Sequence, residues 1–119
     1  MQRFTDNQDG TVTDSTTGLT WSKDTLVKDV THEQALEKLD EGWRLPTVQE
    51  LFSLVDHSRE GPAIDTEVFP GTESDWYWTS TQPAWNESAV WVVYFGYGYV
   101  YLIHRSYGGG CVRAVRSGQ

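Results

Sequence analysis

The chain has 119 residues, a formal charge of −8 at neutral pH and an unusually aromatic composition, with six Trp, six Tyr and four Phe. This length suits a single domain over residues 1–119, and the aromatic side chains supply enough apolar surface for a core without disulfide or metal support. An acidic chain with no Lys/Arg cluster repels phosphate backbones, and one cysteine excludes an internal disulfide framework, so we expect no nucleic-acid partner.

The sequence also bears on membranes and export. No apolar run approaches the roughly 20 residues that a membrane-spanning helix needs, so we expect no membrane insertion. The opening residues Met1-Gln2-Arg3 lack the apolar region of a signal peptide. Display outside a cell would therefore require another route, such as assembly into a virus particle or a cell-surface complex.

The N-terminal segment predicts a β-hairpin. Phe4 leads into a polar turn that ends at Asp9-Gly10, a pair favoured where both turn residues need positive φ. Residues 11–13 continue as an alternating strand. A second turn at residues 16–18 then leads to another short strand at residues 19–21.

Two helices with capping boxes are predicted next. The first begins after Thr31, with Gln34 as the box partner, and ends at Gly42. The second begins after Thr47, with Glu50 as the box partner. Each helix carries an apolar stripe, formed by Ala35, Leu36 and Leu39 in the first and by Leu51, Leu54 and Val55 in the second.

The C-terminal half predicts an antiparallel sheet. Four segments rich in aromatic and β-branched residues are expected to be strands: residues 76–81, 90–95, 99–103 and 111–115. Gly96-Tyr97-Gly98 is a tight turn between the second and third, and Gly108-Gly109-Gly110 is a flexible connector into the last. The order of hairpin, two helices and sheet predicts an α+β fold with the helices packed on the sheet.

Candidate metal and catalytic sites fail on residue type and spacing. A calcium loop centred on Gly10 would place Thr5 and Thr16 at its first and last ligand positions, and both fail. The three histidines lie far apart and lack the spacing of a zinc site: His32, His57 and His104. No nucleophile elbow or other catalytic constellation occurs. We therefore expect a binding protein rather than an enzyme, with neither metal nor cofactor.

The stretch from Tyr94 to Cys111 has an unusual composition. It contains five of the six tyrosines and five of the eleven glycines, and no Glu, Lys, Gln, Met or Trp. Tyr supplies large amphipathic contact area at low conformational cost, while Gly and Ser supply an adaptable backbone, as in antibody binding surfaces. The alternative is an aromatic hairpin of the core followed by a glycine linker, and composition alone leaves both open.

Short motifs run in order through nearly the whole chain. They are Arg3-Phe4-Thr5-Asp6-Asn7, Asp9-Gly10-Thr11-Val12-Thr13-Asp14, Thr17-Gly18-Leu19 with Trp21, Trp43-Arg44-Leu45-Pro46-Thr47 with Glu50-Leu51, Phe69-Pro70, Tyr77-Trp78 with Ser80, and Val112-Arg113-Ala114-Val115-Arg116. With these motifs the chain resembles the family of the Legionella collagen-like protein C-terminal domain. The resemblance implies a C-type-lectin-like fold, with N- and C-terminal strands close together and binding that does not require calcium.

Within that family, the C-terminal part is similar to the variable proteins of diversity-generating retroelements. These elements mutate adenines in a template copy, and randomised Asn codons cannot yield Trp, Gln, Lys, Met or Glu, the five types absent from the stretch. Cys111 stands where relatives commonly carry Tyr, and one adenine-to-guanine change converts a Tyr codon into a Cys codon. The resemblance implies a receptor-recognition module with a diversified surface. Ordinary drift in a non-diversified relative is the alternative.

This hypothesis divides the stretch into framework and ligand surface. The framework is expected to include Phe95, Gly98 and Val100. Three arginines are expected to pair with framework carboxylates: Arg44, Arg113 and Arg116. The predicted ligand surface comprises Tyr94, Gly96, Tyr97, Tyr99, Tyr101, Leu102, Ile103, His104, Ser106, Tyr107, Gly108, Gly109, Gly110 and Cys111. Exposed Tyr, Leu and Ile together predict a protein ligand or another surface receptor with an apolar face.

Two other functions are weighed against this one. A non-diversified lectin-like adhesin would bind glycans, and Gln82-Pro83 with Trp85-Asn86-Glu87 echoes the sugar motifs of C-type lectins. In those lectins the two motifs stand well apart, whereas here they are adjacent. An enzyme related to formylglycine-generating enzymes would need a reactive cysteine pair, and the chain has one cysteine.

Overall fold

The structure, a computed structural model, describes residues 2–117. Two helices and nine strands form within this part of the chain. The helices are α1 (His32–Glu37) and α2 (Val48–Phe52). The strands are β1 (Phe4–Asp6), β2 (Thr11–Asp14), β3 (Leu19–Ser22), β4 (Val27–Val30), β5 (Trp76–Trp78), β6 (Ala89–Tyr94), β7 (Tyr99–His104), β8 (Gly110–Val112) and β9 (Val115–Ser117). The fold is α+β, as the sequence predicts.

The first sheet has the order β1-β2-β3-β9 and is antiparallel throughout. The predicted N-terminal hairpin is confirmed, and Gly10 at its turn has φ +86°, a conformation that favours glycine. Trp21 of β3 pairs with Val12 on one side and Val115 on the other, and all three are buried. The N-terminal strands and the last strand therefore share one sheet.

The second sheet has the order β4-β8-β5-β6-β7, with β7 at its edge. It is mixed rather than antiparallel, because β5 and β8 are parallel, with Tyr77 opposite Cys111. Strand β4 was not predicted from the sequence. Asp29 within it has φ +62°, and its pairing with β8 shifts register between Val27 and Val30. An irregular strand of this kind lacks the alternation on which sequence prediction depends.

The predicted strand at residues 111–115 is in fact two strands in different sheets. The chain leaves the second sheet after Val112 and enters the first at Val115. Arg113, between them, is fully buried and donates hydrogen bonds to the carbonyl oxygens of Ser22 and Lys23 and to Thr72 Oγ1. This buried guanidinium joins the two sheets.

Both capping boxes form as the sequence predicts. The Thr31 side chain accepts a hydrogen bond from the Gln34 backbone, Thr47 accepts one from Glu50, and both return bonds are present. The first helix is shorter than expected, ending at Glu37 rather than near Gly42, and Leu36 is exposed rather than part of a buried stripe.

The three framework arginines differ from the expectation in two cases. Arg44 pairs with Glu50 at 2.8 Å, as predicted. Arg113 contacts carbonyl and hydroxyl oxygens instead of a carboxylate, and its guanidinium lies 4.7 Å from the Phe69 ring centroid. Arg116 lies over the Trp43 ring at 4.5 Å. The planar guanidinium stacks well on an aromatic ring, which favours both contacts, although Arg113 is buried and Arg116 is exposed.

Apolar side chains pack on both faces of the second sheet. On one face, Tyr77 and Val93 belong to the core shared with α2 and the first sheet. On the other face, Trp78, Val90 and Val92 pack with residues from β4, β8 and α1. Strand alternation gives β6 a buried residue on each side, which fixes its register. No helix within residues 2–117 has the length and hydropathy to cross a membrane.

Candidate functional site

Four tyrosines of the β6–β7 hairpin lie together, and we call them the tyrosine surface: Tyr94, Tyr97, Tyr99 and Tyr101. The Tyr94 ring centroid lies 5.3 Å from that of Tyr99 and 5.9 Å from that of Tyr97. The ring centroids of Tyr99 and Tyr101 are 5.8 Å apart. Tyr97 is 62% exposed and Tyr99 49% exposed, while the other two are half-buried. The rings therefore form one contiguous, accessible aromatic patch.

The hairpin register brings these rings together. Tyr94 is opposite Tyr99, and Tyr101 is opposite the buried Val92. Because side chains alternate along a strand, Tyr99 and Tyr101 point to the same side of the sheet. Gly98 has φ +84° at the turn, and a side chain there would meet Val55 at 2.7 Å, so glycine permits the close turn. The tyrosine surface is the exposed continuation of the core around Val92.

Burial changes the acidity of one hydroxyl in this patch. Burial is the largest cause that raises the pKa of Tyr101 above its ordinary value, and the neighbouring Tyr99 is the second. Its hydroxyl therefore stays protonated at neutral pH and remains a hydrogen-bond donor as well as an acceptor. The patch can offer uncharged polar tips on apolar rings, which suits contact with a protein surface.

Trp76 lies beside the tyrosine surface and was not among the predicted site residues. Its register partner on β6 is Tyr94, so it stands on the same side of the sheet, half-buried, with its ring 4.9 Å from that of Trp78. A row Trp76–Tyr94–Tyr99 therefore crosses three strands. The alternation of Trp76 and Trp78 in the sequence was the signal that could have found it.

The predicted surface residues that follow Ile103 begin at the C-terminal end of β7, away from the tyrosine surface. His104 Nδ1 accepts hydrogen bonds from the Ser106 backbone and hydroxyl at 3.2 and 2.8 Å, and the His104 and Tyr107 ring centroids are 6.3 Å apart. Tyr107 is 59% exposed. Gly108 is exposed and near Thr31, and Gly109 is half-buried near Trp76. Tyr107 is thus separate from the four clustered tyrosines.

Three predicted surface residues are buried instead. Cys111 is 1% exposed, because it sits in β8 between β4 and β5, with Tyr77 as its parallel partner. Gly110 is buried against the indoles of Trp76 and Trp78. Gly96 is buried at the hairpin turn, where a side chain would collide with the Tyr94 ring. These positions act on the surface only through the residues that they support.

The remaining residues of the hairpin divide between the two sides of β7. Leu102 and Ile103 are half-buried, and Ile103 packs with the core around Trp78. Val100, expected in the framework, is 38% exposed because β7 is an edge strand. Leu102 is opposite Trp91 and so faces away from Tyr101.

A second aromatic feature lies in the loop before β6. Trp85 is 73% exposed, and its ring meets that of Trp91 edge-on with centroids 6.3 Å apart. Asn86 in the same loop accepts the Ser88 backbone hydrogen bond at 2.9 Å, so its side-chain oxygen is engaged in a local turn. Among residues 2–117, no three His, Cys, Asp or Glu side chains group closely enough to hold a metal ion.

A family model described as the Lcl C-terminal domain matches residues 10–116. The chain belongs to the Lcl C-terminal domain family. No curated protein matches the chain. The family resemblance inferred from the sequence motifs is thereby confirmed. In this Lcl C-terminal domain the match extends over both helices and from β2 to β8, so the tyrosine surface and its framework lie within one family unit. Membership in this family is consistent with a binding domain.

Proposed function

We propose that this Lcl C-terminal domain is a receptor-recognition module that binds a protein ligand through the tyrosine surface and catalyses no reaction. The observation that carries the proposal is the contiguous patch of Tyr94, Tyr97, Tyr99 and Tyr101 rings. Tyr is enriched where proteins bind one another, because it buries a large area at little conformational cost. An exposed cluster of this kind favours an interaction site over a solvated surface.

The surrounding framework supports this assignment. Val90, Val92, Val93 and Phe95 are all fully buried, so the hairpin is anchored by side chains other than the tyrosines. A rigid scaffold that presents exposed aromatic rings loses little entropy on binding. Tyr97, the most exposed of the four rings, lies in the turn and can be exchanged with little effect on the core, as a recognition surface requires.

We further propose that the fold is C-type-lectin-like and that the exposed surface positions are diversified by a retroelement. The shared sheet of N- and C-terminal strands supports the first point. The absence of Trp, Gln, Lys, Met and Glu from residues 94–111 supports the second. The gene's neighbourhood tests it: a near-copy of the 3′ end beside a reverse transcriptase is expected. Without that template repeat, the surface has a fixed specificity.

The binding proposal is tested with a matched pair of proteins on arrays of cell-surface proteins. One is the native chain, and the other carries Tyr97→Ser, Tyr99→Ser and Tyr101→Ser. We expect specific protein signals that the triple variant loses while circular dichroism shows an unchanged fold. Equal signals from both proteins would reject the tyrosine surface as the ligand site.

A second candidate function, a lectin-like adhesin, is favoured by Trp85. Trp85 is 73% exposed, and an accessible indole can stack on a sugar ring. The charge of −8 disfavours sulfated polymers, which need Lys and Arg. Glycan-array signals that survive the triple Tyr substitution but vanish with Trp85→Ala would favour this function over protein recognition.

A further inference from the structure

A cavity of about 620 Å³ lies between α1 and the end of β7, beyond the tyrosine surface. Its lining includes Thr31, Glu33, Leu36, His104, Arg105 and Ser106. The backbone of Arg105 is fixed at its rim, since its N–H donates to the Ser88 oxygen at 2.9 Å and its own oxygen accepts from His32 at 3.2 Å. The position of the arginine is therefore set by the fold.

Two nitrogens of the Arg105 guanidinium lack an acceptor among residues 2–117. Its Nε and Nη2 are buried and without a hydrogen-bond partner in the described part of the chain. By contrast, Arg3 and Arg44 each pair with a carboxylate at 2.8 Å, and Arg59 pairs at 3.2 Å. Glu33 lines the same cavity, yet no ion pair joins it to Arg105 within 4.0 Å. Arg105 as a whole is only partly buried, but two buried N–H groups without acceptors are costly, and an anion that accepts from them would relieve that cost.

His104 supplies a second donor. The Ser106 backbone N–H can only donate, so His104 Nδ1 must be the acceptor, and the neutral ring then carries its hydrogen on Nε2. On the α1 side, His32 Nε2 is engaged with the Thr79 oxygen at 3.1 Å. Burial, together with the charge of Arg105, lowers the pKa of His32, so that ring is neutral near pH 7. The charged donor of the cavity is thus Arg105.

We propose that this cavity binds a carboxylate, presented by an acidic side chain of the protein ligand. A guanidinium holds a carboxylate through two parallel charge-assisted hydrogen bonds. One arginine beside Glu33, on a chain of charge −8, suits a single carboxylate and disfavours a polyanion. Only the protein source of the carboxylate rests on the proposed function. Because Nε and Nη2 are buried, a carboxylate reaches them only if the side chains that cover them move aside as it enters.

The test uses N-acetyl-glutamate amide, with N-acetyl-glutamine amide as its neutral counterpart. NMR of the 15N-labelled chain follows the Arg105 Nε–H resonance during each titration. We expect a saturable shift with the glutamate probe, with a Kd on the order of millimolar for one such contact, and no shift with the glutamine probe. Glucuronate, titrated alongside, tests an acidic sugar as the source.

Three variants sharpen the test. Arg105→Gln should abolish the binding, Glu33→Gln should tighten it several-fold by removing a like charge, and Arg59→Gln, at an exposed ion pair, should leave it unchanged. Thermal melts confirm that each variant is folded. An unmoved Arg105 resonance, or binding that survives Arg105→Gln, would overturn the site. Tighter binding of glucuronate than of the glutamate probe would overturn a side chain as the source. Neither outcome affects the array experiment on the tyrosine surface.

Discussion

Tyr94 and Tyr99 stack across β6 and β7, with ring centroids 5.3 Å apart and ring planes inclined by 29°. Cross-strand aromatic pairs contribute about 0.5–1.5 kcal/mol beyond the area that they bury. This pair therefore serves the hairpin as well as the candidate site. The more exposed Tyr97 has no strand partner, because it lies in the turn, and offers the cleaner separation of binding from stability.

The same substitution at an exposed and a buried tyrosine should separate surface from core. Tyr97→Ser should change the free energy of unfolding by no more than about 0.5 kcal/mol, as for other surface positions. Tyr77→Ser should cost about 3–5 kcal/mol, because Tyr77 is fully buried and its hydroxyl accepts from the Glu73 backbone. Urea unfolding measures both. A cost above 2 kcal/mol for Tyr97→Ser would make that ring part of the framework.

Two glycines of the same connector should respond differently to alanine. Gly110→Ala places a methyl group against the Trp78 indole, whose Nε1 donates to the Val30 oxygen at 2.9 Å, and should cost about 1–3 kcal/mol. Gly108→Ala has ordinary space, 3.8 Å from Thr31 Cγ2, and should be neutral or stabilise by about 0.4–1 kcal/mol. Thermal melts of the two variants decide the matter, and equal losses would contradict the packing described for Gly110.

The thiol of Cys111 should be unreactive in the folded protein. Burial, as the largest cause, and the charge of Asp75, as the second, raise its pKa to about 12. Only the thiolate attacks a disulfide reagent, so at pH 8 roughly one molecule in ten thousand is reactive even before access is considered. Ellman's reagent should label the native chain at the rate of unfolding and the urea-unfolded chain rapidly. Fast native labelling would place Cys111 at the surface.

Stability should decline as the pH falls below about 6.5 because of His32. Burial and, less strongly, Arg105 lower the pKa of His32 below its ordinary 6.5, so the unfolded chain takes up a proton first as the pH falls. The contribution of this ring is fully present above about pH 6.5 and is lost as the pH falls toward the folded value. His32→Gln should flatten the dependence in this window. Parallel curves for both proteins would show that another group is responsible.

Local chemistry was enough to predict both helix starts. A Thr cap and its Gln or Glu partner lie within four residues, so Thr31 and Thr47 carry the full signal themselves. The break between β8 and β9 was beyond such reasoning. It depends on Arg113 reaching the carbonyl oxygens of Ser22 and Lys23, some 90 residues away along the chain.

Only part of the candidate site was predicted, because the rest also depends on long-range contacts. Composition drew attention to residues 94–111, but composition does not distinguish the two sides of a strand or the centre of a sheet from its edge. Tyr99 lies on edge strand β7 and is accessible, whereas Cys111 lies on β8, between β4 and β5, and is enclosed. That difference arises from the parallel pairing of β8 with β5, a long-range contact without a local signature.

The register of the first sheet places four residues in one row, Phe4, Asp14, Leu19 and Ser117. Three strand spacings separate the outer two, so Phe4 and Ser117 lie roughly 14 Å apart. A gap of that size can be bridged by a few flexible residues. The domain could thus be spliced as a cassette into an exposed loop of an unrelated host protein, with the tyrosines carried on the other sheet.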